Sequence, residues 1–347
     1  MVMAVTRRCN LRCGICRTWE YEPERPELTP DEIGAALRPL RRLAWLDVTG
    51  GEPFVRDDIE EVFEAVTNAV PTLRVLHFPT NGWFSDRALA LTRKLRAGSP
   101  DVDLLITVSL DGPPAVHDAM RGRAGSFERA LETFRRLREV PGASVYVGST
   151  VSNDNVDALV ELESILRAEV PGFTAREWHW NWIQRSSHYF HNADGPDRSA
   201  PDPTILERHI ARRGLPRDMV GLAELGFFVN LLAHLRGEAV GIPCQAFRST
   251  CFLSPEGDVY PCHVWDRPVG NVREISIPEL WNSEALQEAR CDIRVGNCPR
   301  CFAACEAYPA MAGAPVATVV RTTGRLLKLI ASSSRRCPRP RSGSSGP

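Results

Sequence analysis

The sequence predicts an α/β protein: a partial (β/α)6 TIM-like barrel, open on one side, followed by a small cysteine-rich C-terminal extension. Two observations carry the barrel. Apolar runs of strand length alternate with helical patterns six times within residues 1–213, and such alternation folds as a parallel sheet covered by helices. Four of the predicted strands run into clusters of small or polar residues, namely Gly50-Gly51-Glu52-Pro53, Thr80-Asn81-Gly82, Asp111-Gly112 and Ser152-Asn153. A parallel barrel keeps its functional loops at those strand ends. A third observation carries the extension: the chain has eleven cysteines, and none lies between Cys16 and Cys244.

The elements follow in order. Met3–Thr6 is a short apolar strand leading into the first cysteines, and Arg17–Leu28 is a polar, proline-bearing loop. Thr29-Pro30-Asp31-Glu32 starts a helix that runs to about Leu43, with Thr as cap, Pro at the first helical position and Glu at the third. Trp45–Thr49 is the second strand. Helices over Asp57–Ala69, Asp86–Arg96, Ser126–Val140 (Ser126 capping) and Val156–Glu169 then alternate with strands Arg74–Phe78, Asp103–Leu110, Ser144–Val151 and Ala175–Ile183. A sixth helix is placed at Thr204–Arg213. Six units are too few to close an eight-fold barrel. Beyond it, Leu215–Gly237 is a linking helix, Leu253–Val259 holds a hairpin turn at Pro255-Glu256-Gly257-Asp258, and Ile277–Ala289 is a helix with Ser276 as cap. The domain organisation is therefore 1–213 for the barrel, 214–243 for the link, 244–310 for the extension and 311–330 for a C-terminal helix. A disordered tail over 331–347, rich in Ser, Arg, Pro and Gly, holds Cys337.

Composition excludes several classes. With 43% hydrophobic residues in 347 the chain can bury a sizeable core, and a net charge of −1 gives no general field for nucleic acid. Lys94 and Lys328 are the only lysines, so an arginine-rich basic set is explained by codon bias. No apolar run reaches the roughly eighteen residues of a membrane span. Cys9 arrives before a signal peptide's apolar region could fit. An odd cysteine number, clustered at two ends of a long chain, reads as cytoplasmic metal sites and not as secreted disulfides.

Cys9-Asn10-Leu11-Arg12-Cys13-Gly14-Ile15-Cys16 is the centre of the chain's chemistry. Clustered thiolates select iron–sulfur clusters or zinc. Structural zinc wants four closed ligands, and here three thiols lie together with no histidine nearby. A [4Fe-4S] cluster on three cysteines leaves one iron open to a substrate. A zinc knuckle completed from elsewhere in the chain is the competing reading.

This spacing, with Val5-Thr6 before it, resembles the radical S-adenosylmethionine (SAM) enzymes. Gly50-Gly51-Glu52-Pro53 resembles their GGEP segment, and Thr80-Asn81-Gly82, Ser109-Leu110-Asp111-Gly112 and Thr150-Val151-Ser152-Asn153 resemble successive strand ends. The resemblance implies SAM contacts from Gly50, Gly51, Glu52, Asn81, Ser109, Asp111 and Asn153, with the Glu52 carboxylate accepting from the SAM ammonium and Thr150 and Val151 near adenine or ribose. His117-Asp118-Ala119-Met120-Arg121-Gly122 looks familial too, and places Arg121 on the SAM carboxylate, on a substrate anion or simply at the surface. Cys244-x12-Gly257-x4-Cys262 followed by Cys298-x2-Cys301-x3-Cys305 resembles the SPASM/twitch extension, as do Tyr260-Pro261-Cys262-His263, Gly270-Asn271-Val272 and Leu280-Trp281-Asn282. That implies at least one auxiliary [4Fe-4S] cluster, held by Cys244, Cys262, Cys298 and Cys301, with Cys251 or Cys305 as substitutes. The full seven-cysteine form lacks its C-x2-C-x5-C run here, which leaves a second auxiliary cluster open. Zinc on four thiolates competes for this site. His263 is expected beside the ligands and Cys291 is expected to be a buried thiol.

The sixth strand alternates Glu177, His179 and Asn181 with Trp178, Trp180 and Trp182. Period two sends one set to the lumen and the other to the helices, or both only pack. The resemblance implies reductive SAM cleavage to a 5′-deoxyadenosyl radical that abstracts hydrogen from a small-molecule substrate, oxidising or epimerising it. Maturation of a ribosomal peptide is the alternative, although Cys9 leaves no room upstream for a leader-binding domain. A non-catalytic zinc-binding interaction protein is a further alternative. The implied partners are the substrate and an electron donor such as flavodoxin or ferredoxin, with no membrane and no nucleic acid.

Overall fold

The computed structural model describes residues 1–195, 202–214, 216 and 218–334; Leu215, Cys337 and the tail from 335 fall outside them. Six parallel strands form the barrel wall: β1 (Val2–Ala4), β2 (Trp45–Thr49), β3 (Val75–Thr80), β4 (Asp103–Ser109), β5 (Ala143–Val151) and β6 (Trp178–Trp182). Helices α1 (Pro30–Leu37), α2 (Ile59–Ala69), α3 (Ser85–Gly98), α4 (Pro114–Arg121), α5 (Ser126–Arg138), α6 (Leu159–Glu169) and α7 (Thr204–Arg213) follow them, and α8 (Met219–Leu235) comes next. Alternation along each strand sorts its faces. In β4, Leu104, Ile106 and Val108 are buried against the helices, while Leu105, Thr107 and Ser109 line the lumen. The core lies in that outer layer, around Phe54, Phe63, Phe78, Phe134 and Trp178.

The sheet does not stop at the end of the barrel. β7 (Phe252–Leu253) pairs parallel with β1, and β8 (Asp258–Tyr260) and β9 (Gly270–Asn271) add antiparallel, giving the order β6-β5-β4-β3-β2-β1-β7-β8-β9. The extension thus covers the β1 edge, which would otherwise present unpaired backbone. Gly257 at φ +95 makes the hairpin turn. Arg7 clamps that turn from the cysteine side, with Nε and a terminal nitrogen each 3.0 Å from a carboxylate oxygen of buried Glu256. The open side of the barrel is closed by α8 and by two later helices. Four helices end the described chain: α9 (Ile277–Leu280), α10 (Glu284–Val295), α11 (Ala304–Gly313) and α12 (Pro315–Ser334). Tyr308 of α11 stacks on Trp45 of β2 and donates to Glu224 of α8 at 3.2 Å, and Glu224 meets His179 of β6 at 2.6 Å.

Several local expectations change. Thr29 and Glu32 form the expected capping box. Ser126 is not a cap: Gly125 takes a left-handed conformation, and Asp118 accepts from Gly125 N, Ser126 Oγ and Phe127 N. Ala175–Glu177 is a 3-10 turn and not strand, closed by a Thr174–Glu177 capping box. The helix expected over Ile277–Ala289 is two helices, because Ser283 caps a new start. α4 was not foreseen, and α12 runs through Ser334, past the expected start of the tail at 331.

Candidate active site

Cys9, Cys13 and Cys16 sit on the loop after β1, over the C-terminal ends of the barrel strands. The loop is held by backbone. Arg12 N donates to Arg121 O and Gly14 N to Met120 O, both at 3.1 Å, which uses carbonyls left free at the end of α4. Gly51 N donates to Thr6 O at 2.8 Å and Glu52 N to Arg8 O at 3.0 Å. A Cβ on Gly51 would lie 2.3 Å from Arg8 O, and one on Gly50 2.5 Å from Thr6 O. These glycines are required by the cysteine loop itself, before any ligand is considered.

Glu52 ties neighbouring strand ends together. It is 1% exposed, and its carboxylate accepts from Thr80 Oγ1 at 2.9 Å, Asn81 N at 2.7 Å and Phe54 N at 3.3 Å. Burial pushes its pKa up to about 7 against those three donors. Asn81 donates to Asn10 Oδ1 at 2.8 Å, inside the loop. Asp111 is fully buried, accepts from Thr150 N at 2.8 Å and pairs with Arg121 at 2.7 Å. Arg121 is therefore not a surface residue: its guanidinium lies 3.9 Å from Cys13 Sγ. Ser109 is at the cavity wall. Asn153 is exposed and lies outside the two cavities described below, and Val151 is buried in the core. The inward residue of this turn is Asn155, which donates to Asp111 O at 2.7 Å and Thr150 O at 3.0 Å.

A cavity of about 90 Å³ is enclosed by all three thiols with Gly51, Glu52, Asn81, Ser109 and Arg121. Among the described residues no three His, Cys, Asp or Glu donors stand at the spacing of a single metal ion, so the fit is judged on this cavity and its donors. Three soft thiols around one space, with no fourth thiol or imidazole among the residues that line it and the Glu52 carboxylate already engaged by three donors, fit an iron–sulfur cluster with one open iron. Burial pushes the Cys9 and Cys16 thiols up to about 12 and raises Cys13 as well, so bound metal must displace their protons.

The second thiol group gathers from separate segments. Cys262 and Cys301 are neighbours, and Cys244 lies near both Cys262 and Cys298. Burial pushes Cys244 up to about 12, and the neighbouring Cys301 together with burial raises Cys262. None of the ten described cysteines forms a disulfide. Cys251 and Cys305 instead line the central chamber, as does His263, which pairs with buried Glu306 at 3.3 Å. Cys291 is exposed, a correction, because α10 turns that face to solvent.

The chamber, of about 1780 Å³, fills the lumen and reaches from Cys13 and Cys16 to Cys251 and Cys305. Of the alternating sixth strand, His179 and Asn181 face it, while Trp178 donates to Ser149 Oγ and Trp180 stacks on His209 among the helices. Trp182 reaches the wall as well. Glu177 does not belong to the polar set; it caps the preceding turn and pairs with Arg138. Two hydrogen-bonded groups on the wall escaped the sequence reading. Asp47, His77 and Thr107 form a chain across β2, β3 and β4, at 3.0 and 2.9 Å. His179, Glu224 and Tyr308 form the other, with Arg213 on the far carboxylate oxygen. Burial alone would raise Glu224, but His179 and Arg213 hold it below the usual range. A polar residue at an inward position of an apolar strand was the available signal for Asp47 and His77.

Residues 3–162 match the radical SAM superfamily, and residues 244–306 match SPASM, an iron–sulfur cluster-binding domain. The chain belongs to the radical SAM superfamily. This radical SAM protein is 26% identical over 316 residues to the AdoMet-dependent heme synthase of Nitratidesulfovibrio vulgaris, covering 86% of this chain and 83% of the relative. It is 27% identical over 325 residues to the mycofactocin maturase MftC of Mycolicibacterium smegmatis, covering 87% and 75%. Its fold is similar to that of anSMEcpe, solved with bound AdoMet, at a TM-score of 0.58 and 14% identity over 97% of this chain and 99% of that one. It is an enzyme that uses SAM and [4Fe-4S] clusters. The non-catalytic zinc protein is thereby set aside. Among the described residues no helix is long and apolar enough to cross a membrane.

Proposed function

We propose that this radical SAM enzyme abstracts hydrogen from a large, mainly apolar small molecule bearing carboxylates, held in the lumen between two cluster sites. Cys9, Cys13 and Cys16 would hold the SAM-binding cluster, and Cys244, Cys262, Cys298 and Cys301 the auxiliary one. One observation carries the reading: a single chamber is lined by Cys13 and Cys16 at one end and at the other by His263 and Cys305, sequence neighbours of the auxiliary ligands, which do not themselves line it. Small-molecule pockets usually measure about 300–1,000 Å³. A chamber of about 1780 Å³ has room for SAM and a substrate well above sugar size. Arg41 and Arg42 at its rim suit carboxylates, and the heme-synthase relatives point to the same kind of molecule.

When bound, cluster and SAM supply reductive cleavage and a 5′-deoxyadenosyl radical. The chain's own residues do the rest. Ser109, which lines both cavities, would hydrogen-bond SAM. Gly50 and Gly51 present backbone there. Glu52, Asn81 and Asp111 act on SAM by holding that frame, and Asn153 lies off it. Arg121, fixed by Asp111, sets a positive charge beside Cys13. The apolar wall excludes water from a reactive intermediate. His77, held by the Asp47 carboxylate at Nδ1 and with Nε2 beside the Thr107 hydroxyl, can take a proton from an oxidised substrate. Flavodoxin or ferredoxin serves as reductant, in the cytoplasm.

A peptide is the second reading, favoured by the MftC relative and by the opening beside α8 and α12. The test is anaerobic reconstitution, reduction with dithionite and measurement of 5′-deoxyadenosine with a carboxylated tetrapyrrole or a synthetic peptide added. Stimulation by the tetrapyrrole supports the first reading. Stimulation by peptide alone overturns it.

A further inference from the structure

We propose that α12, with the first turn of α8, is a docking surface for an anionic membrane. The first observation is an apolar face without cover. Of the ten large apolar side chains that the described residues leave exposed, seven lie here: Met219, Val220 and Leu222 on α8, and Val316, Val319, Val320 and Leu327 on α12. Val316 is 77% exposed and Val320 64%. At about 100° per residue, Val316, Val320, Thr323 and Leu327 fall within about 60° of one another, with Val319 just beside them. The opposite face of α12 is occupied: Thr322 accepts from Asn230 of α8 at 3.0 Å, and Arg325 reaches Ala239 O at 2.7 Å. α12 is thus apolar on two sides, and only one of them meets the protein.

The second observation is charge. From residue 307 to the end of the chain there is no Asp or Glu, while Arg321, Arg325, Lys328, Arg335, Arg336, Arg339 and Arg341 are basic. That leaves 35 basic and 43 acidic residues in the first 306, so a net-acidic enzyme carries a +7 end. At about 100° per residue Arg321 and Lys328 fall between the exposed apolar stripe and the packed face; the Arg321 guanidinium rests against Gly241, and exposed Lys328 is the side chain that reaches phosphate while its stem stays in the apolar layer. An amphipathic helix with aliphatic side chains on one face and basic ones at its flank lies in the plane of an anionic bilayer.

Other occupants fit less well. A second copy placed by two-fold symmetry would bring α12 against itself and oppose like charges. Single-stranded nucleic acid binds through aromatic platforms, and α12 contains no aromatic residue. Nothing in the stripe offers the directional hydrogen bonds of sequence-specific peptide recognition. The absence of a spanning helix among the described residues concerns crossing, and a surface helix does not cross. Docking also has a consequence for the chamber. Met219, Val220, Leu222 and Val319 line its mouth, so that mouth would face the lipid headgroups.

The test is flotation of the reconstituted full chain with vesicles of phosphatidylcholine containing about a third phosphatidylglycerol, against pure phosphatidylcholine. The enzyme should float with the anionic vesicles only, and high salt should release it. Lys328→Gln should weaken binding about fivefold, and the double change Val316→Asp, Val320→Asp should abolish it. Neither change touches the chamber lining, so dithionite-driven SAM cleavage should stay at the wild-type rate and certify the fold. Equal flotation on neutral vesicles, no flotation at all, or full binding by the double variant would overturn the proposal. So would a change in sedimentation coefficient in Val320→Asp without vesicles, which would assign the face to a second copy.

Discussion

The two thiol groups are built in opposite ways. The N-terminal three come from a single eight-residue loop, pinned by backbone of Gly51, Glu52 and the end of α4. The C-terminal four proposed ligands come from three separated stretches, at 244, at 262 and at 298 with 301, which come near one another pairwise only because the extension folds. A local site is specified by spacing and fails when its own loop is disturbed. An assembled site is specified by tertiary packing and fails with it. Arg7 and Glu256 join the two: the arginine stands two residues before Cys9, and the glutamate sits in the hairpin that leads to Cys262.

The largest effect that separates them is catalytic. Cys13→Ala should abolish 5′-deoxyadenosine formation, whereas Cys262→Ala should retain dithionite-driven SAM cleavage, both read by chromatography of the nucleoside. Next, Arg7→Met should cost about 3–5 kcal/mol in denaturant unfolding, because it leaves the Glu256 charge buried and unpaired. The double variant Arg7→Met, Glu256→Met should recover part of that loss. Gly51→Ala should cost about 3 kcal/mol or more, since its Cβ meets Arg8 O, and should lower the iron of the N-terminal site alone.

A pH limb belongs to the local site. His117 is buried, and its Nδ1 accepts from Asp111 N at 3.1 Å. Burial lowers its pKa to about 4 from an ordinary 6.5, with Arg121 adding to the shift. The folded state therefore resists protonation. Its contribution is complete above about pH 6.5 and is lost as pH falls toward 4, by about 3 kcal/mol. His117→Gln should flatten part of that slope in pH-dependent unfolding; His188, lowered to about 3 by burial, and His209, lowered by burial as well, add to the same limb. The smallest effect is Thr80→Val, which removes one donor from Glu52 and should cost about 1–3 kcal/mol, at the low end since two donors remain.

Legibility in the sequence follows the same division. The barrel, α1 with its Thr29–Glu32 box and the cysteine loop could be read because each is encoded within a few neighbouring residues. Asn153 and Asn155 show the limit: strand alternation gives two faces, but the residue that turns inward is fixed by where β5 ends and the turn begins. Glu177 was placed in a strand that starts one residue later. The pairing of Arg7 with Glu256, 249 residues apart, has no local signature. Asp47, His77 and Thr107 carry a signal, polar residues at inward strand positions, which becomes a hydrogen-bonded chain only once register aligns three strands.

The central claim is that the chain holds two separate cluster sites, one on the N-terminal loop and one in the extension. Iron and sulfide counting on the anaerobically reconstituted chain and on a Cys262→Ala, Cys298→Ala variant tests it most directly. The account predicts about eight irons in the wild type and about four in the variant, with SAM cleavage intact. About four irons in both proteins would contradict it.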